Sequence, residues 1–298
     1  MWLKLMNPRR NVFPSGLIGL VFLLASCAPA GRGEERTESD SVSEPDTRDD
    51  AGPELATDGS SPPSTDASVP DPGVLPDPIR IMPLGDSLTV GTGAGIGGGS
   101  MLDGGYRIRL RERLLEAGYG IDFIGRQSNG PASDFDREHE SENGASIAMI
   151  SGFWNAAVGA GHEPHVVLLM AGTNDQLGVT ADQLPEPAAR ALEQLIQQIL
   201  TDSPEAQVVV ALPPPLGSGF LVGAGRPARM KNYSELVRDL LQRARDEGKP
   251  VHLADLSGLD PGLLGDGVHP STMQGYNAMA DLWYESVVAA IEELRQAP

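Results

Sequence analysis

Thiol chemistry is nearly missing from this chain, in which one cysteine, Cys27, stands among 298 residues. It can close no internal disulfide, and a multi-cysteine zinc or iron–sulfur centre is excluded with it. Basic charge is scarce too: 22 lysines and arginines face 41 acidic residues, for a formal net charge of −19. No basic stripe runs through the sequence, which argues against nucleic acid as a partner, because phosphate contacts need clustered cations. His139, His162, His165 and His252 show no metal-ligand spacing with one another or with carboxylates, so packing or surface roles are expected of them. The apolar run from Leu17 to Leu24 is too short for a membrane-spanning helix, which takes about 20 residues. Stability must come from a packed core.

The N-terminal quarter is built differently from the rest. Residues 1–27 begin with Lys4, Arg9 and Arg10, continue through the apolar run and close on Leu24, Ala25, Ser26 and Cys27. Basic, apolar and small-residue zones in that order read as a secretory signal. The last four residues resemble a bacterial lipobox. The resemblance implies that Cys27 is lipidated and becomes a new N-terminus, anchoring an exported protein to the cell envelope; a plain cleaved signal is the alternative. Ala28, where an aspartate would retain the protein, by the same resemblance permits sorting to an outer membrane or the cell surface. Residues 28–78 hold 13 acidic residues, three arginines and no aromatic residue. Such a segment buries too little apolar surface to offset chain entropy, so a disordered tether is expected, roughly 40 Å end to end as a flexible coil. An acidic recognition tail is the other reading, disfavoured because the acids are scattered singly or in pairs.

Residues 79–298 then form one domain. Short apolar runs at Ile79–Leu84, Ile121–Ile124, Val166–Met170, Val208–Leu212 and Val251–Leu253 read as strands fit for burial on both faces. Helical spacing separates them. It appears at Tyr106, Leu110 and Leu114; at Ala188, Leu192, Leu195, Ile196 and Ile199; at Tyr233, Leu236, Val237, Leu240 and Leu241; and at Met279, Trp283, Val287 and Ile291. The alternation predicts an α/β fold, a flavodoxin-like three-layer sandwich with a five-stranded parallel sheet. Ligands in such sheets bind beyond the carboxyl ends of the strands, so reactive residues should follow strands closely.

Three polar motifs do so. The first strand runs into Gly85, Asp86, Ser87 and Leu88, where a serine hydroxyl is exposed for attack once a base takes its proton. The third ends in Gly172, Thr173, Asn174 and Asp175, whose asparagine amide can donate to a developing oxyanion. Asp266, Gly267, Val268 and His269 precede the last helix, and an aspartate three residues before a histidine can fix the ring's tautomer. Taken singly, each motif also fits a cap, a turn or a structural hydrogen bond. Together they resemble the SGNH, or GDSL-type, hydrolase family over essentially residues 79–298. Carried over, the resemblance makes Ser87 the nucleophile, His269 the general base, Asp266 its orienting partner and Asn174 an oxyanion donor beside the Ser87 amide. A glycine amide completes the family's oxyanion hole. Gly144, in the stretch Glu140–Gly144, is the candidate, although the first glycine and the histidine of the family's segment are missing there; Gly104, Gly105 and Gly130 stay open.

Gly93, Gly95 and Gly98 match a dinucleotide-binding spacing, but the loop is long and no acid ends the second strand, so they read as a rim beside Ser87. Phe153 and Trp154 fit a core position better than a sugar subsite. Pro213, Pro214 and Pro215 stiffen the loop after the fourth strand. The stretches Gly104–Arg107, Asp122–Gly125 and Gly172–Asp175 are similar to the acetyl xylan esterase-like branch of the family. That implies a serine esterase working through an acyl-serine without metal or cofactor, with O-acetyl groups on extracellular glycans as substrate. The negative charge mildly favours neutral acetylated polymers over strongly anionic ones. A lipid or thioester hydrolase of the same family is the alternative, and a noncatalytic glycan-binding lipoprotein is a reading of another class.

Overall fold

A computed structural model of the protein describes residues 75–94, 104–131, 135–178, 180 and 183–295, all within the unit Asp66–Pro298. The expected signal and lipobox cysteine at 1–27, and the tether up to residue 74, lie outside the described residues.

The sheet is organised around β1 (Ile79–Gly85), which has strand neighbours on both edges. On one edge β5 (Val166–Met170) pairs with it in parallel, followed by β6 (Gln207–Leu212) and β7 (Val251–Asp255). On the other edge β2 (Ile121–Phe123) pairs with its first half. The five predicted strands therefore stand in the spatial order second, first, third, fourth, fifth, the flavodoxin-like arrangement. Two short strands extend that expectation. β4 (Glu138–Ser141) pairs in parallel with the second half of β1, and β3 (Gln127–Ser128) runs antiparallel to β4. Glu138, His139, Glu140 and Ser141 contain no aliphatic residue, so no apolar run marked that strand in the sequence.

Alternate strand residues feed two cores because successive side chains point to opposite faces. Met82, Leu84, Val167, Leu169, Val208 and Val210 pack under α3 (Ile147–Gly159), α5 (Glu186–Asp202) and α6 (Arg226–Asp246). Ile79, Ile81, Val166, Leu168 and Val209 pack under α2 (Gly105–Glu116) and α7 (Met273–Leu294). Trp154 belongs to the first core, with its indole N–H donating to Asp202 Oδ2 at 2.8 Å, while Phe153 lies partly buried against that core. Tyr106 of α2 and Trp283 of α7 stack at 5.4 Å between ring centroids, fixing the helix after β1 against the last helix. Two short helical turns complete the carboxyl edge: α1 (Ser87–Val90) after β1 and α4 (Thr173–Leu177) after β5.

Replacing Trp283 by alanine removes the largest side chain of that α2–α7 contact and leaves a cavity. It is expected to lower the unfolding free energy by about 3–5 kcal/mol, read by urea titration; a loss below 1 kcal/mol would place little weight on the stack.

Candidate active site

The strand order changes direction between β1 and β5, and helices leave those two strands to opposite faces. A crevice opens at such a point beyond the strands' carboxyl ends. Ser87 follows β1 and Asn174 follows β5, so the sequence places both beside it.

Ser87 opens the turn α1. Asp86 caps that turn by accepting the Leu88 N–H on Oδ1 at 3.0 Å, and Gly91 closes it with its N–H on the Ser87 carbonyl. The turn sits tight on the sheet. A Cβ at Gly85 would collide with Thr89 Oγ1 and the Met170 carbonyl, so glycine is required where the chain leaves β1. Ser87 Oγ lies 2.8 Å from His269 Nε2, and His269 Nδ1 lies 2.8 Å from Asp266 Oδ2. The other carboxylate oxygen, Asp266 Oδ1, accepts the backbone N–H groups of Val268 at 2.9 Å and His269 at 2.7 Å. Burial raises the Asp266 pKa, but these hydrogen bonds from His269 and Val268 outweigh it and hold the carboxyl below its ordinary value. An ionised Asp266 accepts a hydrogen bond from Nδ1–H and so holds the proton on that nitrogen, which leaves Nε2 as the acceptor facing the serine hydroxyl.

Asn174 stands on the opposite side. Gly172, with φ 109° and no room for a Cβ beside the Tyr233 ring, turns the chain into α4, while Tyr233 Oη donates to the Ala171 carbonyl at 3.1 Å. Asn174 Nδ2 donates to the Ala145 carbonyl at 2.9 Å, and Asp86 Oδ2 lies 3.4 Å away, a long contact. One amide hydrogen is thus engaged, and the other is weakly held. Gly144, exposed and left-handed at φ 77°, lies in the loop that this bond anchors; Asn143 Oδ1 in the same loop accepts the Thr92 hydroxyl at 2.6 Å. The rival glycines are placed otherwise. The Gly104 N–H is used by the Val90 carbonyl, Gly105 is packed against Gly91 and Tyr276, and Gly130 backs onto Phe135. Gly93 is buried, whereas Gly95 and Gly98 lie outside the described residues.

Several residues that sequence reasoning left without a role hold this arrangement. Arg107 is fully buried and donates to the carbonyls of Thr89, Asn129, Arg137 and Glu138, tying the serine turn to the segment leading into β4. Tyr276 Oη donates to the Thr92 carbonyl at 2.7 Å, and Asp175 Oδ2 accepts the Ile147 N–H at 3.1 Å. Three of the four histidines set aside in the sequence make local contacts. His139 meets Ser141 Oγ at 2.7 Å, His165 Nδ1 accepts the Arg80 N–H at 3.0 Å, and His252 meets Gln207 Oε1 at 2.9 Å. Burial pushes His139 down to about 3 and His165 to about 4. Among the described residues no His, Cys, Asp or Glu cluster could hold a metal ion.

A strand-end serine, a histidine–aspartate pair and an asparagine amide gathered at one edge of the sheet are the groups that acyl hydrolases use. The model of the GDSL-like Lipase/Acylhydrolase family matches residues 84–278, and the chain belongs to that family of carboxylic ester hydrolases. It is 29% identical over 234 residues to a multidomain esterase of Ruminococcus flavefaciens; the match takes in 70% of this chain but only 28% of the relative's length. Among solved structures, a family 3 carbohydrate esterase of Clostridium thermocellum is 32% identical, with a TM-score of 0.58 over 72% of this chain and 98% of that one. A carbohydrate esterase of family 3 from Talaromyces cellulolyticus, at 22% identity and TM-score 0.58 over 72% of this chain and 99% of that one, shares the fold.

The capping carboxylate gives this site a distinctive pH signature. Asp86 is completely buried, and desolvation pushes its pKa up to about 6, only partly offset by the Leu88 N–H. The native state therefore holds a proton that the unfolded chain releases near the ordinary carboxyl value of 3.8, so this group lowers stability as pH rises from about 4 to about 6. Asp86→Asn has no such titration. Relative to the parent it should gain on the order of 3 kcal/mol across that interval, measured by urea unfolding at several pH values; a pH-independent difference would refute the assignment.

Proposed function

We propose that this protein is a serine esterase that removes O-acetyl groups from extracellular glycans through an acyl-serine intermediate. The observation that carries the reading is the continuous relay from Ser87 Oγ through the His269 ring to Asp266, each step 2.8 Å long. His269 Nε2 takes the serine proton as Oγ forms a bond to the ester carbonyl carbon. The resulting oxyanion is met by the Ser87 N–H, which is free of the intrahelical pattern at the first position of α1, by the Gly144 N–H and by the weakly held hydrogen of Asn174 Nδ2. His269 then returns the proton to the leaving alcohol oxygen as the carbon–oxygen bond breaks. Water, deprotonated by the same ring, releases acetate and restores Ser87.

Similarity to the Clostridium thermocellum carbohydrate esterase supports a carbohydrate ester as the substrate class. The N-terminal sequence supports export and a lipid anchor at Cys27, with the acidic segment 28–78 as the tether to the catalytic domain 79–298. An enzyme tethered in this way meets polymers outside the cell.

Acetate release from acetylated xylan tests the chemistry. Ser87→Ala should lower kcat at least about a thousandfold and Asn174→Ala about 100- to 1,000-fold, both with the fold intact by circular dichroism; a Ser87→Ala protein at full rate would end the proposal. For the anchor, fatty-acid labelling in a bacterial host should mark the parent and spare Cys27→Ala. An unlabelled parent would make the N-terminus a plain cleaved signal.

A further inference from the structure

The loop between β6 and α6 rests on the turn that carries Asp266 and His269. The Gly217 N–H donates to the Gly267 carbonyl at 2.8 Å. A Cβ on Gly219 would overlap the Asp266 carbonyl, and one on Gly267, whose φ is 89°, would press on Val222 at 2.8 Å. Glycine at both places is what lets the two backbones meet. Within the loop the Val222 N–H donates to the Gly219 carbonyl at 3.1 Å, closing a four-residue turn with Phe220 and Leu221 at its centre. Arg226 Nη1 holds the Leu221 carbonyl at 3.2 Å. Both corners of the turn are therefore pinned against the Asp266–Gly267 backbone.

The residues at its tip run against ordinary turn chemistry. Central turn positions favour proline, glycine, asparagine and aspartate. Here they are Phe220, 69% exposed, and Leu221, 37% exposed. Local rules broken on a restrained backbone beside a reactive site point to function. The side of Ser87 is also defined by the chemistry: the leaving alcohol takes its proton from His269, so the alcohol half of the ester lies toward the His269 segment, which this turn adjoins, and the oxyanion donors lie across from it.

We propose that Phe220, with Leu221 beside it, is the platform for the alcohol half of the substrate, a sugar ring whose C–H face lies against the phenyl ring. The proposal rests on the esterase reading and specifies its substrate subsite. Aromatic contact and apolar burial hold the ring without using its hydroxyls, which suits a neutral glycan.

Binding separates this proposal from catalysis. An acetylated xylo-oligosaccharide is titrated into the full chain carrying Ser87→Ala, with and without Phe220→Ala, by calorimetry. Phe220→Ala is expected to weaken Kd about tenfold, and Phe220→Trp to restore it. In the active protein Phe220→Ala should raise KM for the same oligosaccharide by a similar factor, and by much less for ethyl acetate, which has no sugar ring to seat on the turn. An unaltered Kd, an oligosaccharide that does not bind, an equal loss on ethyl acetate, or a loss confined to long-chain acyl esters would each overturn the platform. Failure of the wild type to hydrolyse ethyl acetate would instead strike the esterase reading, with the Kd comparison still deciding the role of Phe220.

Discussion

The hydrogen bond between Ser87 and His269 joins groups 182 residues apart, and most of the architecture described above serves to make that meeting possible. Ser87 is fixed by β1 and the cap that Asp86 places on the following turn. His269 is fixed from the other end of the domain, by β7, two short 3-10 turns and the start of α7. Neither end is held to the other by sheet pairing, because β7 and β1 are separated by β5 and β6. The closure runs instead through α2 and α7. Their Tyr106–Trp283 stack, and the bond from Tyr276 of α7 to the Thr92 carbonyl just past the serine turn, bring the His269 segment to Ser87. The aromatic core on one face of the sheet is in this sense part of the geometry of the Ser87–His269 contact.

Around the serine turn the structure spends polar groups where a core would ordinarily be apolar. Arg107 is buried with its guanidinium on backbone carbonyls, and Asp86 is buried with its carboxyl on a backbone N–H and near Asn174. A buried carboxylate costs stability unless it is well satisfied, and the raised pKa of Asp86 shows that its hydrogen bonds do not fully offset desolvation. That cost has a geometric return. Asp86 orders the turn that presents Ser87 and stands beside the Asn174 amide, coupling the two sides of the crevice through one side chain.

How much of this could be read in the sequence follows from what each residue does. Strands buried on both faces announce themselves as aliphatic runs, so β1, β2, β5, β6 and β7 were legible along with the helices that cover them. β4 was not, because Glu138–Ser141 pairs through its backbone and carries polar side chains into contacts such as Arg126–Glu140 and Ser141–His139. The motifs of Ser87, Asn174, Asp266 and His269 stand out in the sequence because they sit at strand or helix ends, and the structure joins Ser87, His269 and Asp266 in one hydrogen-bonded chain with Asn174 beside Asp86. What favours Gly144 over Gly104, Gly105 and Gly130 as the proposed donor is visible only in three dimensions, in the bond from Asn174 to the next residue's carbonyl. The support supplied by Arg107 is carried by four backbone acceptors in three segments, and no spacing rule encodes such a set.

The turn at Gly219–Val222 was illegible for a related reason. Sequence reasoning stopped at Pro213–Pro215 because prolines mark a loop while the residues beyond them carry no period. The pairing that gives the turn its place is glycine against glycine, Gly217 and Gly219 on Gly267, and glycines are visible in a sequence only as gaps. Yet this contact joins the loop after β6 to the aspartate–histidine segment. A substrate ring seated on the loop would therefore press on the same backbone whose N–H groups orient the Asp266 carboxylate. In the proposed esterase, the loop that would seat the alcohol and the residues that would protonate it share this one backbone contact, a route by which a large glycosyl leaving group would be favoured over a small one without any change at Ser87.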